Sequence, residues 1–306
     1  PAGFEPNSDY VAGRIAEFLK WHLQNYRPYI DVIPARRRDA VDGTDSPQVL
    51  LPLLRASYIF MGPGSPTYAV QHLVGTRCWQ TILARHRLGA CVSLSSAGAI
   101  AAGAYALPVY EIYKAGEDPH WRPGLDLLGP YGLRLAFMTH WNNAEGGANL
   151  DTSRCFMGRD RMARLLSLLP ADVTVVGIDE HTALAADLGA ASCTVLGEGG
   201  VTLVRGGREG VYSRGSAFPL DELGALRWPA PQEGIPDEVW REVQAGAAAR
   251  GEEVLPEEVA SLIRQREAAR RLRDWPAADA LRERLAALGY QVVDTPEGPR
   301  WQRIRQ

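Results

Sequence analysis

The sequence predicts an α/β fold: a doubly wound, mostly parallel sheet followed by a small, mainly helical C-terminal domain. Two observations carry this. Up to about residue 210, short apolar runs rich in β-branched residues alternate with segments of helical period, which places helices on both faces of a parallel sheet. Beyond the proline-rich "RWPAPQEGIP" the chain becomes Arg- and Ala-rich, helical in period and almost free of β-branched runs until "YQVVD". The expected units are 1–228 for the α/β body, 229–257 for a linker with a short helix, and 258–306 for the tail.

Asn7 and Ser8 are read as caps of a first helix, whose apolar positions Val11, Ile15, Phe18, Leu19 and Leu23 recur at helical spacing and which ends near Tyr26. "YIDVIPA" and "SYIFMG" then read as short buried strands, separated by a loop and a small helix around Leu50 to Leu54. Two helical patterns fill Thr67 to His86, "ACVSLS" is again a strand, and "SAGAIAAG" continues it as a closely packed helix. "VYEIY", "RLAFMTH", "VTVVGID", "ALAADL", "CTVLG" and "VTLVR" are the further strands, with one clear helix from Arg159 to Leu169. Gly-rich turns rather than helices join the last three strands, so an antiparallel edge is expected there.

Composition excludes several classes. Hydrophobic residues at 46% with 23% charged suit a soluble globular chain, and no window approaches the roughly 18 apolar residues of a membrane span. No membrane partner is expected, and the cytoplasm is the expected location. Cys78, Cys91, Cys155 and Cys193 stand far apart without a CxxC pair, which suggests reduced core residues rather than a zinc site or a disulfide framework. His120, His140 and His181 with Glu145 or Glu180 match no metal-binding spacing, so no metal is expected and no cofactor either. "GPGSP" lacks the GK[ST] ending and the GxGxxG spacing of phosphate loops; it reads as an oxyanion loop or a plain turn.

Chemistry concentrates on "SLSSAGAIAAG". In a doubly wound sheet, ligands sit outside the carboxyl ends of strands, where a strand turns sharply into a helix, and Ser96 falls at such a turn. The Ala97 N–H is one oxyanion donor in this reading, and Gly64 in "MGPGSPT" supplies the second. A serine hydroxyl needs a base and preferably a carboxylate behind the base. His140 in "FMTHWNN" is the expected base, His181 in "GIDEHTA" its rival, and Glu180 the orienting acid. Ser65, Glu111, Asn142 and Asn143 are candidates for the substrate pocket.

"SSAGA", "THWNN" with "CFMGRDRMARLL", "GIDEHTALAADLGAASCTVLGEGGVTL" and "IFMGPGSPTYAV", in this order over about residues 1 to 210, resemble the serine peptidases that include cyanophycinase and dipeptidase E. The resemblance implies a class I glutamine amidotransferase-like fold, with Ser96 as nucleophile, His140 as base, Glu180 as acid, and a first strand ahead of "PAGFEPN". It implies a small amide or peptide as substrate, cleaved through an acyl-enzyme. Two positions depart from the pattern. Leu94 stands where the elbow usually has glycine, and "WNNAEGG" replaces the serine- and arginine-bearing run of the cyanophycinase-like members. These keep a second reading open, a catalytically inactive binding protein whose tail recruits RNA or a protein.

The tail reads as two amphipathic helices and a strand, tight turn and strand. Leu262, Ile263 and Leu272 share a face of the first helix; Pro276 opens the second, Ala280, Leu281, Leu285 and Leu288 line it, and Gly289 ends it. From Val259 onward ten arginines face six acids, a net of +4 that leaves −7 on the rest of a chain of net −3. The pattern "R..A...D...AD.LR..L...G....DT..G..W" resembles the C-terminal domain of bacterial cysteinyl-tRNA synthetase, and implies a contact with the anticodon end of a tRNA. In that reading Arg264, Arg271, Arg300 and Arg303 engage phosphates and Trp301 stacks on a base. The alternative is a docking unit for a protein partner or a homodimer.

Overall fold

The computed structural model describes residues 6–248, 256–295 and 298–303. It is a mixed α/β chain with several sheets and a helical C-terminal region. Helix α1 (Ser8–His22) opens it, with Asn7 at the cap position but no side-chain capping bond, and a single 3-10 turn carries the chain on to Tyr26. The inner face of α1, Val11, Ala12, Ile15 and Leu19, lines a cavity of about 1350 Å³, whereas Phe18 is exposed and stacks on His22. "YIDVIPA" runs along the same cavity without a ladder partner, so the expected strand is not formed. Pro28 precedes it and Pro34 stands within it, withholding two N–H groups, while Ile33 and Ala35 still pack on the core.

After the short α2 (Pro47–Leu50), strand β1 (Tyr58–Met61) pairs in parallel with β2 (Cys91–Leu94). Helices α3 (Pro66–Leu73) and α4 (Arg77–Arg87) connect them, each capped by a side chain accepting from the first turn: Ser65 from the Tyr68 N–H, Thr76 from the Trp79 N–H. Gly75 at φ 69° makes the break between the two. Helix α5 (Ala97–Ala102) follows β2 and is buried throughout. Its first turn presses against the end of β1: a Cβ on Gly98 would collide with the Met61 carbonyl.

Strand β3 (Tyr105–Ala106) leads to α6 (Val109–Tyr113), where "VYEIY" is helix rather than the expected strand. Pro108 precedes it, and Val109 and Ile112, three apart, are its buried residues, which suits a helical turn against a core and outweighs the β preference of Val, Ile and Tyr. Strand β4 (Arg122–Pro123) pairs with β3, and β5 (Leu135–Met138) lies parallel to β6 (Thr174–Ile178), with α7 (Gly158–Ser167) between them in sequence. Strands β7 (Thr182–Asp187) and β8 (Ser192–Gly197) form an antiparallel pair, β9 (Val201–Arg205) returns antiparallel to β6, and β10 (Arg208–Tyr212) and β11 (Ala217–Pro219) add antiparallel to β9 and β8. Among the described residues the ladders are separate: β10-β9-β6-β5, β11-β8-β7 and β1-β2. Among the described residues, parallel pairing is confined to β1–β2 and β5–β6.

Helix α8 (Asp237–Ala248) follows the proline-rich passage and packs Val239, Trp240 and Val243 against Ala84 of α4, with Arg77 paired to Glu238. The tail comprises α9 (Glu257–Arg271), α10 (Trp275–Ala287) and the antiparallel pair β12 (Tyr290–Thr295) and β13 (Gly298–Arg303). Asp274 caps α10 through the Ala277 N–H and Gly289 ends it at φ 85°. Val259, Leu262, Leu285, Tyr290 and Val292 form a small core of their own; Leu272 faces solvent instead, because α9 ends at Arg271. No helix among the described residues is long and apolar enough to cross a membrane.

Candidate active site

Ser96 is the residue just before α5, one position beyond Ser95 and the end of β2, at φ 50° and ψ −116°, a conformation that L-residues rarely adopt. The strand delivers it and the helix fixes it: Ser95 N–H donates to the Met61 carbonyl, and the Ser96 carbonyl accepts from Ile100. The sharp turn is made with Leu94, part-buried against the β1–β2 core, in the position two before the serine. The Ala97 N–H is the first of α5, and the opening N–H groups of a helix have no carbonyl partner inside it. Gly64, at φ 137°, lies in the loop after β1.

Two turns bring partners to Ser96. His140 follows β5 at φ 55°, and its Nε2 lies 3.0 Å from Ser96 Oγ. Glu180 follows β6, and its Oε1 lies 3.0 Å from His140 Nδ1. β5 and β6 are adjacent and parallel, so their carboxyl ends, and with them the two turns, emerge side by side. With Glu180 accepting at Nδ1, the tautomer that suits the geometry carries its proton there and leaves Nε2 free to accept from the Ser96 hydroxyl. Donation from Asn143, and then from His140, holds Glu180 below the ordinary carboxylate value.

The two turns are tied to each other at several points. Trp141 N–H donates to the Ile178 carbonyl, Glu180 N–H to Asn142 Oδ1, and Asn143 Nδ2 to Glu180 Oε1 at 2.9 Å. The Trp141 ring lies on the backbone of Gly177, where a Cβ would intrude into the indole, and the Arg154 guanidinium covers the ring at 4.1 Å. Arg154, Cys155 and Phe156 all have positive φ, and Cys155 N–H donates back to the His140 carbonyl. Burial pushes the Cys155 thiol up to about 12, so it stays neutral beside the site.

The other expected site residues fall elsewhere. Ser65 is the cap of α3, its hydroxyl oxygen accepting from the Tyr68 N–H. Asn142 and Asn143 both bond to Glu180, Asn142 Oδ1 accepting from its N–H and Asn143 Nδ2 donating to its carboxylate. Glu111 sits on α6 with Oε2 buried and without a hydrogen-bond partner, and no bond joins it to Ser96, His140 or Glu180. His181 is exposed, also at φ 55°, and it is His140 that meets Ser96. Trp141 and Gly177 escaped the sequence reading, although "HWNN" had placed an aromatic and two amides directly after the histidine.

Residues 252–305 match the anticodon-binding domain of cysteinyl-tRNA ligase. Curated relatives, cysteine–tRNA ligases among them, match over short stretches of similar length. The cysteine–tRNA ligase of Methanosarcina mazei is 54% identical over 54 residues, 18% of this chain and 11% of that enzyme. That of Halorhodospira halophila is 40% identical over 90 residues, 29% of this chain and 18% of the enzyme. The chain thus spans only a small fraction of the length of these relatives. A solved structure, a peptidase from an acI-B1 Actinobacterium, superposes with a TM-score of 0.56 at 21% identity, over 72% of this chain and 81% of that one. At that identity the likeness is one of fold.

On the anticodon-domain-like unit, the expected phosphate contacts separate. Arg264 lies over the ring of Trp228 at 4.8 Å, so it faces the body, and Trp228 in turn meets Tyr131 edge-on. Trp301 packs edge-on against Tyr290 in the unit's own core. Arg271 is exposed; the side chains of Arg300 and Arg303 lie outside the described residues. Trp275, which no sequence pattern singles out, is 54% exposed at the start of α10 with Arg270 beside its ring.

Proposed function

We propose that the body is a serine hydrolase of the cyanophycinase and dipeptidase E type, cleaving an amide or peptide bond through an acyl-enzyme on Ser96. The observation that carries the reading is the continuous chain Ser96 Oγ to His140 Nε2, and His140 Nδ1 to Glu180 Oε1, at 3.0 Å each, built on a strained strand-to-helix turn. His140 takes the Ser96 proton as the hydroxyl attacks the carbonyl carbon, and Glu180 stabilises the imidazolium. The oxyanion is received by the N–H groups of Ala97 and Gly64. Collapse passes the proton to the leaving amine, and a water activated by the same histidine releases the acid.

The same reading makes the body a class I glutamine amidotransferase-like domain, whose doubly wound sheet would join the separate β1–β2 and β5–β6 ladders. A fluorophosphonate probe tests the chemistry on the whole chain. Labelling of the peptide carrying Ser96, lost in Ser96→Ala, is expected. A chain that binds small amides and is never labelled decides for the catalytically inactive binding protein.

The C-terminal unit carries a second, compatible reading, contact with the anticodon end of a tRNA. Its support is the match over residues 252–305 together with the exposed Trp275 beside Arg270. Filter binding of tRNA across a salt series is expected to show steep loss with salt, and Trp275→Ala to weaken retention about ten-fold or more. Salt-independent or absent retention decides for a docking unit.

A further inference from the structure

The turn after His140 holds a buried amide whose orientation is determined on both sides. Asn143 is 2% exposed; its Oδ1 accepts from the Glu145 N–H at 3.2 Å and its Nδ2 donates to Glu180 Oε1 at 2.9 Å. Exchanging the two ends would set an NH₂ against an N–H and an oxygen against a carboxylate, so one orientation alone satisfies both neighbours. The Asn143 backbone N–H donates to the His140 carbonyl, which keeps the amide and the imidazole in one tight turn.

Glu180 has no comparable support from packing. Its side chain is a third exposed, so rotamers that turn the carboxylate into water are open to it. Two donors converge on the same oxygen, His140 Nδ1 and Asn143 Nδ2, and the second does not depend on the protonation state of the first. The neighbouring Asn142 does the matching task on the main chain, its Oδ1 accepting from the Glu180 N–H at 2.8 Å. We propose that Asn143 is a positioning residue of this site: its locked amide selects the Glu180 rotamer that faces His140, and so makes the Ser96–His140–Glu180 chain a group of four.

The kinetic part of this inference rests on the hydrolase reading; the structural part does not. Asn143→Asp keeps the volume and the acceptor for the Glu145 N–H but removes the donor, and Asn143→Ala removes both. Two quantities are read on the full chain: the downfield proton resonance of His140 Nδ1–H, assigned by its loss in His140→Gln, and the rate of Ser96 labelling by a fluorophosphonate. The expected result is loss or a clear upfield move of the resonance in both variants. Labelling slows about ten- to a hundred-fold with the thermal transition retained, the range seen when a group that orients another reactive group is removed. An unchanged resonance in a folded Asn143→Ala would overturn the proposal. If Asn143→Asp does not fold, Asn143→Ala and Asn143→Ser carry the test. If the parent is not labelled at all, the hydrolase reading fails and the resonance still decides the role of Asn143.

Discussion

The Ser96 site and the C-terminal unit are built in opposite ways. His140 lies 44 positions beyond Ser96 and Glu180 another 40, and the site exists only where β2, β5 and β6 end together. The C-terminal unit closes its core from Val259 to Trp301, by one helix pair and one hairpin. Strain follows the same division. Ser96, His140 and His181 all take positive φ, a local cost of about 1 to 3 kcal/mol each that persists because the surrounding contacts over-determine the turns. A site of this kind is lost by small displacements, whereas a locally closed unit tolerates them.

The sharpest test of the contrast is to remove the reacting groups. Ser96→Ala and His140→Ala should each lower kcat/KM for amide hydrolysis by about 10⁴-fold or more, and the double variant should be little worse, since the two act as one unit. Losses that multiply in the double variant would break the site into independent parts. The proposed retention of tRNA by the C-terminal unit should not change in either variant.

A smaller effect is expected at Gly177. Alanine there drives a methyl group into the Trp141 indole, and overpacking of this kind costs about 1 to 3 kcal/mol. Urea denaturation should register that loss, and hydrolysis should fall further than stability does because Trp141 precedes Asn142 and follows His140. Wild-type stability in Gly177→Ala would show that the ring is free to move.

Acid should act on the body through His86. Burial, and next the positive charge of Arg87, depress its value from 6.5 to about 4. Between those values the unfolded chain binds a proton that the folded chain does not, so stability is full above about pH 6.5 and declines as pH falls toward 4. His86→Phe should flatten this slope, by about 2 kcal/mol between pH 7 and 4.5 in urea titrations. An unchanged slope would assign the acid sensitivity to other groups.

The smallest expected effect concerns the junction of the two regions. Arg264→Ala removes the guanidinium from Trp228 and should cost about 0.5 to 1 kcal/mol, visible in calorimetry as a wider separation of two melting steps. Hydrolysis by the Ser96 site should not respond. A single unchanged transition would mean that this contact does not couple the units.

Much of the site was legible in "SLSSAGA", "THWNN" and "GIDEH", because each places a reactive side chain just after a short apolar strand, and β2, β5 and β6 do end there. What escaped was the division of labour within those turns. Asn142 and Asn143 read as pocket residues, and only the approach of the β6 turn turned their amides onto Glu180. Ser65 read the same way until α3 began at Pro66 and claimed its oxygen. "VYEIY" and "YIDVIPA" show the limit of composition: both are rich in strand-forming residues, yet one packs as a helical turn and the other meets no partner edge.

By itself, then, the sequence determined the elements whose period is set by a local apolar pattern: α4, α7, α10, β2, β6 and the hairpin of the C-terminal unit. Caps, glycines at positive φ and alternation of side chains act within a few residues, so they can be read in one dimension. Tertiary structure decided which histidine meets Ser96, which amides hold Glu180 and which arginine is spent on Trp228. Those choices depend on which strand ends lie side by side and which faces are buried, and hydrogen bonds between distant turns leave no periodic trace in the chain.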